Sequence, residues 1–332
     1  MDFAELAAIA SGHAQARAIQ VALKLGVFEA LATRPASAAD LANIVGADLR
    51  AISILANALV ALSLLESPNG AYRLSTAAQR YLVAESPEYL GGMILFDEAN
   101  FPLWASLENT VRSGRPARRP DMFQNDAGET ERFIRAMDSL VRARGDARWV
   151  AEHLDLRRAR KIADLGGGPG TYLAAMLRKN PAAAGELWDL EATLKVSRKI
   201  LLEREADCAD RIVLSSVDYN SGELPAPVDV IFMSNVIHSE TAETNAELIR
   251  KCFRSLAPDG TIIIKDHVMN RALTHPPSGA IFSLYLMLTT NGRDYSFDEI
   301  SRWLVDAGFT RVRREDLPSP PFSSSLVTAV KP

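Results

Sequence analysis

Two cysteines among 332 residues, Cys208 and Cys252, leave no material for a disulfide framework and read as buried thiols of a reducing compartment. A basic excess is also missing. Against 37 Lys and Arg stand 41 Asp and Glu, a net charge of -4, so no global positive field draws nucleic acid or anionic membrane. The longest uncharged, mostly apolar run covers residues 51–65, short of the roughly 20 that a spanning helix needs. Asp2 and Glu5 stand where an export signal would be basic. These shortages predict a cytoplasmic protein with no membrane partner. What remains is 48% apolar and 23% charged residues, ordinary for a globular enzyme. The length suits two domains at roughly 100–200 residues each.

The first third reads as helical. Residues 3–33 are apolar throughout, with Gly26 at a break between two helices. Ser37 with Asp40 three positions on predicts a capped short helix. A longer one is expected over 49–65, because Ile52, Leu55, Leu59 and Leu62 fall on one face. Asn69-Gly70 predicts a tight turn into a strand over 71–74. Short helix, longer helix and hairpin together predict a winged helix. A DNA role is not expected of it: residues 1–90 hold Arg17, Lys24, Arg34, Arg50, Arg73 and Arg80 against eight acids, and phosphate binding needs clustered cations. The apolar helix is instead expected to pack on other helices, including those of a second subunit. Residues 88–150 predict a helical connector, with a solvated loop at Arg112–Pro120 and a helix over 129–150 that carries Phe133 and Met137 on one face.

From Lys161 onward strands alternate with helices. Strands are expected at 161–165, 186–190, 212–216, 228–233 and 261–265, with helices at 171–178, 193–204 and 244–256. This alternation predicts an α/β fold, a doubly wound parallel sheet whose ligands sit at the carboxyl ends of the strands. At the first such end lies Asp164-Leu-Gly166-Gly-Gly168-Pro-Gly170. A dinucleotide loop, G-x-G-x-x-G, would need glycine at 171, where Thr171 stands, and no Lys-Ser/Thr follows to make a P-loop. The acid before the glycines suits a ligand bearing an ammonium group. Asp189, 19 residues after Gly170, falls where such folds hold an adenosine ribose, or else caps the next helix. Asp218 and Tyr219 offer an acceptor and a stacking face for adenine, or else form a surface turn.

With Trp188-Asp-Leu190, Val217-Asp-Tyr219, Phe232-Met-Ser-Asn-Val-Ile-His238, Leu256-Ala-Pro-Asp-Gly-Thr261 and Asp306-Ala-Gly-Phe309 added, the chain resembles the S-adenosylmethionine-dependent small-molecule O-methyltransferases of plant phenolic and bacterial natural-product type. The likeness spans nearly the whole chain. It implies a class I methyltransferase fold, Rossmann-like, in three parts: a winged-helix dimerisation domain over 1–88, a helical linker over 89–150 that contributes to the acceptor pocket, and a catalytic domain over 151–332. It implies S-adenosylmethionine as cofactor, no metal, a homodimer, and a small, aromatic hydroxyl acceptor. By position, Asp164, Gly166, Gly168, Gly170, Asp189, Leu190, Asp218, Tyr219 and Ser234 answer to the cofactor site. His238 answers to the catalytic base, with Asp266 and Asp294 flanking it, and Phe133, Met137, Met287 and Asn291 to the acceptor pocket.

Five positions depart from the family pattern. His-Asp-Trp is His238-Ser239-Glu240 here, both flanking glutamates are aspartates, and a cofactor-contacting lysine is Ser234. These changes leave a second reading open, a non-methylating relative that uses the bound cofactor in decarboxylation, hydroxylation or cyclisation. For methyl transfer, histidine suits the base role because its pKa near 6.5 lets it take and release a proton around neutral pH. His238 follows the strand over 228–233 and Asp266 follows the one over 261–265, so the two can meet. His267, next to Asp266, is expected to point to the opposite face if that strand continues.

Overall fold

Three helices near the N-terminus start at side chains that satisfy their own first turn. Asp2 and Glu5 form a reciprocal capping box on Phe3–Lys24, Ser37 and Asp40 do so on Ala38–Val45, and Asp48 accepts the Ala51 N–H at the head of Leu49–Ala61. The computed structural model describes residues 1–225, 227–318 and 324–332. They divide into two units, Met1–Asn100 with Arg142–Arg144, and Phe101–Val141 with Gly145–Pro332. The expected linker therefore divides near residue 100.

In the first unit, Phe28, Leu41, Ile52, Leu59 and Leu65 are fully buried together. Leu65–Glu66 pairs antiparallel with Arg73–Leu74 across a turn in which Asn69 and Gly70 take φ of 56° and 81°. The helix predicted over 49–65 ends at Ala61, where Ser63 turns left-handed and Leu65 joins the hairpin. Phe3, Leu6 and Ile9 on the first helix stay 87%, 57% and 66% exposed, too much apolar surface to be an accident of one side chain. Among the described residues no single helix is long and apolar enough to cross a membrane. Ala38–Val45 and Leu49–Ala61 reach that length only as a pair bent by 109°, and their apolar faces fill this unit's own core.

The second unit is built on seven strands: β1 (Lys161–Leu165), β2 (Ala184–Asp189), β3 (Ile212–Ser216), β4 (Val228–Ser234), β5 (Leu256–Asp266), β6 (Thr310–Asp316) and β7 (Ser325–Val330). Their spatial order is β6-β7-β5-β4-β1-β2-β3, with β7 antiparallel to both neighbours and the rest parallel. Side chains alternate between two cores. Ile162, Phe232 and Ile263 face Leu173, Leu177 and Leu201, whereas Ala163, Ile231 and Ile262 face Leu248, Ile249 and Leu304. Both faces are covered by helices, which is why these strands read as continuous apolar runs. The chain winds from β1 outward to β3 and then crosses to β4, which places the topological switch point at the ends of β1 and β4. The helix expected over 129–150 is two, Ala127–Arg144 and Asp146–His153, because Gly145 takes φ 69° and stops the first.

On the Ile263 face of β5 lies Lys265, wholly buried. Its Nζ stands 3.1 Å from Asp146 Oδ2 and 3.3 Å from Ser324 Oγ, while the Tyr172 hydroxyl donates to Asp146 Oδ1 at 2.9 Å. A buried pair is worth little net, but stranding one partner costs about 3–5 kcal/mol. Asp146→Ala is thus expected to lower the urea midpoint sharply, and Asp146→Leu combined with Lys265→Met to recover most of the loss.

Candidate active site

β1 runs out at Leu165, and the chain must turn at once to feed the helix Thr171–Lys179. Gly166, Gly168 and Gly170 take φ of 65°, 52° and 81°, a region that favours glycine, and Gly170 caps the helix. At Gly167 the constraint is space, since a Cβ would lie 2.3 Å from Leu187 Cδ1 and 2.6 Å from Asp164 Cγ. The loop floors an open cleft at the carboxyl ends of the strands. Asp164, Asp189, Leu190, Tyr219 and Ser234 line it, as do Phe133 and Met137 from the helix above. Asp218 does not: it is exposed, and its Oδ1 accepts the Asn220 N–H at 2.9 Å. Sequence reasoning missed Met122 and Gln124 of the preceding loop, which carry no motif.

Two acids at this cleft are held differently. Asp189 accepts the Gly168 N–H at 2.9 Å and the Leu190 N–H at 2.7 Å, so it pins the glycine loop to the end of β2. Asp164 is buried with neither carboxylate oxygen hydrogen-bonded. Burial, then the charge of Asp189, push its carboxyl up to about 8. The Ser234 hydroxyl is likewise buried without a partner. Orphaned acceptors beside a glycine cradle fit an adenosine ligand that carries donors and positive charge; they do not fit a pyrophosphate.

Beyond β4 a single tight turn, Ile237–Ser239, carries His238, and Asn245 Nδ2 holds that turn through the Ile237 carbonyl at 2.8 Å. The His238 Nδ1 lies 2.7 Å from Asp266 Oδ1 at the end of β5. Nδ1–H therefore donates to the carboxylate and Nε2 keeps its lone pair. Asp294 Oδ1 is 3.9 Å from the same nitrogen, beyond hydrogen-bond reach. Burial alone would depress His238, but the charge and hydrogen bond of Asp266 overcome it and raise its pKa. For Asp266 burial raises and His238 lowers, and the imidazole wins; Asp294 is raised by its burial. Ligand atoms of His238, Asp266 and Asp294 fall within 4.8 Å of one another. A proton already bridges the 2.7 Å pair, and two ligands of one divalent ion at about 2.0–2.2 Å stand further apart than that.

None of His267, Met287 and Asn291 lines this cleft. His267 does not point away, because β5 ends at Asp266 and the bend that follows brings its Nδ1 to 3.5 Å from Asp294 Oδ2. Met287 is half-buried on the helix Pro277–Thr289 and Asn291 is exposed past its end. That helix instead presents Phe282, whose ring stands T-shaped to both His238 and His267 at 5.2 Å, and Tyr285, stacked on Phe282 at 5.8 Å. Glu240, which replaces a tryptophan in the family pattern, accepts the Tyr219 hydroxyl at 2.9 Å and so braces the cleft wall.

Residues 104–310 match the O-methyltransferase domain family, and residues 7–84 match the O-methyltransferase dimerisation domain. Among curated proteins, a 3-hydroxy-5-methyl-1-naphthoate 3-O-methyltransferase of Streptomyces sahachiroi is 30% identical, over 97% of this chain and 94% of its own. An N,N-dimethyltransferase of Streptomyces rimosus is 26% identical over 98% and 95%. Among solved structures, human N-acetylserotonin methyltransferase in complex with SAM superposes with a TM-score of 0.88 at 22% identity, covering 100% of this chain and 98% of that one.

Since burial pushes the Asp164 carboxyl up to about 8 and a cationic ligand favours its ionised form, binding at pH 7 should expel a proton. Calorimetry of S-adenosylmethionine at pH 7 in buffers of different ionisation enthalpy is expected to show proton release, and Asp164→Asn to abolish it. Affinity should rise with pH and level off above about 8. Asp189→Ala removes two charge-assisted bonds that order the loop and is expected to weaken binding by roughly 10–100-fold.

Proposed function

We propose the acceptor and the residue roles below on one premise: the chain belongs to the O-methyltransferase family and is an S-adenosylmethionine-dependent O-methyltransferase. Its acceptor is the hydroxyl of a small, planar aromatic molecule, of the kind handled in natural-product biosynthesis. The observation that carries this reading is the 2.7 Å His238–Asp266 pair, buried one residue away from the lining of the glycine-loop cleft. The naphthoate acceptor named for the 30% identical relative supports the aromatic class, as does the Phe282–Tyr285 stack beside His238.

Bound S-adenosylmethionine supplies a methyl group on a sulfonium, which leaves as a neutral thioether. The protein's task is to hold the acceptor oxygen in line and remove its proton. A phenol with a pKa near 10 is mostly protonated at neutral pH. His238 Nε2 takes that proton as the oxygen bonds to the methyl carbon, and later returns it to solvent. Asp266 fixes the tautomer and stabilises the imidazolium. One methylene shorter than glutamate, it still reaches Nδ1, because it stands at the strand end itself. The departure at Glu240 removes nothing from this pair, since that side chain bonds to Tyr219 and Asn220. Asp164, Gly166, Gly168, Gly170, Asp189, Leu190, Tyr219 and Ser234 hold the cofactor, and Phe133 and Met137 separate it from the acceptor.

Residues 1–88 serve dimerisation, 89–150 the acceptor side and 151–332 catalysis, and the working form is a homodimer. The exposed Phe3, Leu6 and Ile9 supply apolar surface for such a contact. Two free, buried cysteines fit a cytoplasmic location.

Incubation with labelled S-adenosylmethionine and 3-hydroxy-5-methyl-1-naphthoate, 1-naphthol or 1-naphthylamine is expected to label the hydroxyl compounds, and label on the amine alone would overturn the acceptor assignment. His238→Ala should keep S-adenosylhomocysteine affinity within a few-fold while transfer falls by at least roughly 10²-fold. Light scattering at micromolar concentration should give twice the 36.2 kDa chain mass.

A further inference from the structure

Met122 and Gln124 line the cleft yet have no part in the chemistry above. Between them stands Phe123. Met122 and Phe123 take φ of 49° and 62°, a left-handed turn that residues other than glycine adopt only where their surroundings impose it. The surroundings are explicit here. The buried Phe123 ring stacks on Phe133 at 4.6 Å, and the Arg118 guanidinium lies 4.1 Å from its centroid. Arg118 is fixed in turn by Glu129 at 2.8 Å and Asp121 at 3.1 Å. Asp121 Oδ1 also accepts the Phe123 N–H at 3.0 Å, and the Thr130 hydroxyl donates to the Phe123 carbonyl at 2.5 Å. Phe123 is thus fastened to the helix Ala127–Arg144, while the residues on either side of it face the cleft.

Gln124 reaches from this loop to another wall of the cleft. Its Nε2 donates to Thr193 Oγ1 at 3.1 Å and to the Met122 carbonyl at 3.1 Å, which uses both amide hydrogens. Thr193 is buried in the first turn of the helix Glu191–Arg204, four residues after Asp189, and lines the same cleft. Burial raises the Asp189 carboxyl, and the Gly168 N–H, the Leu190 N–H and the Thr193 hydroxyl all oppose that rise. The hydroxyl that holds the loop therefore also supports the acid that orders the glycine turn. We infer that Gln124 is a positioning residue for S-adenosylmethionine: through Thr193 it latches the loop over residues 118–124 to the Asp189 wall of the cleft and slows escape of the bound cofactor. The inference rests on the cofactor site described above. With the latch closed, the loop and the glycine turn share one hydrogen-bonded frame, and Met122 is held with them because Gln124 also holds its carbonyl. With it broken, the Phe123 anchor and the fold are retained, but Met122 and Gln124 are free to withdraw.

The measurement is the rate at which labelled S-adenosylhomocysteine leaves the full protein during a chase with unlabelled ligand. It needs no acceptor and reads no turnover. Gln124→Ala is expected to speed dissociation about 3–10-fold, the worth of one neutral hydrogen bond, with the change falling on departure rather than on association. Thr193→Val removes the hydroxyl and keeps the shape, and should speed dissociation at least as much. In that background Gln124→Ala should add no more than about 1.5-fold, because the bond is already gone. Thr193→Ser restores the hydroxyl and should restore the slow rate, which a loss of packing alone would not do. A Gln124→Ala rate within about 1.5-fold of the unmodified protein, or the same acceleration by Gln124→Ala with and without the Thr193 hydroxyl, overturns the inference. Failure of the cofactor assignment shows separately, as no binding of S-adenosylhomocysteine by the unmodified protein.

Discussion

A carboxylate at the end of a buried strand has almost no water to solvate it, and this chain places three of them around one cleft. Each is relieved in a different way, and the differences divide the work of the site. Asp266 at the end of β5 meets an imidazole, which keeps it ionised and gives the imidazole a fixed tautomer. Asp189 at the end of β2 meets two backbone N–H groups, so its charge organises the glycine loop. Asp164 near the end of β1 meets no cation or side-chain donor, and burial pushes its carboxyl up to about 8. Order in the loop, basicity in the turn and a latent charge on the floor all derive from one desolvation problem.

The same economy shows in consecutive residues of β5. Lys265 and Asp266 point to opposite faces, as strand geometry requires. The lysine is sealed with Asp146 under the Tyr172 ring, and the aspartate with His238. Tyr172 also lines the cleft, so the cation sits one side chain below the ligand space and one strand thickness from the base. Its field lowers the basicity that Asp266 raises. The sheet here separates two ionic clusters of unlike role, and its own thickness sets their distance.

Much of this was legible in the chain. Strands β1 and β3 fall on the residues expected, because each is a short β-branched or apolar run bounded by turn signals. The Ser37–Asp40 cap and the Asn69-Gly70 turn are local chemistry and also read directly. The glycine spacing excluded a dinucleotide because backbone conformation, which spacing encodes, is itself local. What stayed hidden depends on where strands stop and helices dock. The direction of His267 stayed open, because periodicity cannot announce that β5 ends at Asp266. Phe282 and Tyr285 carry no motif, and only the docking of their helix brings Phe282 against both histidines. Gly145 offered its signal openly, a glycine in a long helix, and a continuous apolar face concealed it.

The loop that carries Asp294 touches the turn that carries His238 through bare backbone: at Gly292 a Cβ would stand 2.2 Å from the His238 carbonyl oxygen and 2.7 Å from the Glu240 nitrogen. For anyone evolving this protein toward new acceptors, the loop therefore has unequal freedom along its length. Asn291 is exposed and open to randomisation, while the next position is closed to every side chain, since any atom there displaces the turn that holds the imidazole. A combinatorial library spanning both positions would spend most of its members on that second site, and diversity is better placed on either side of it.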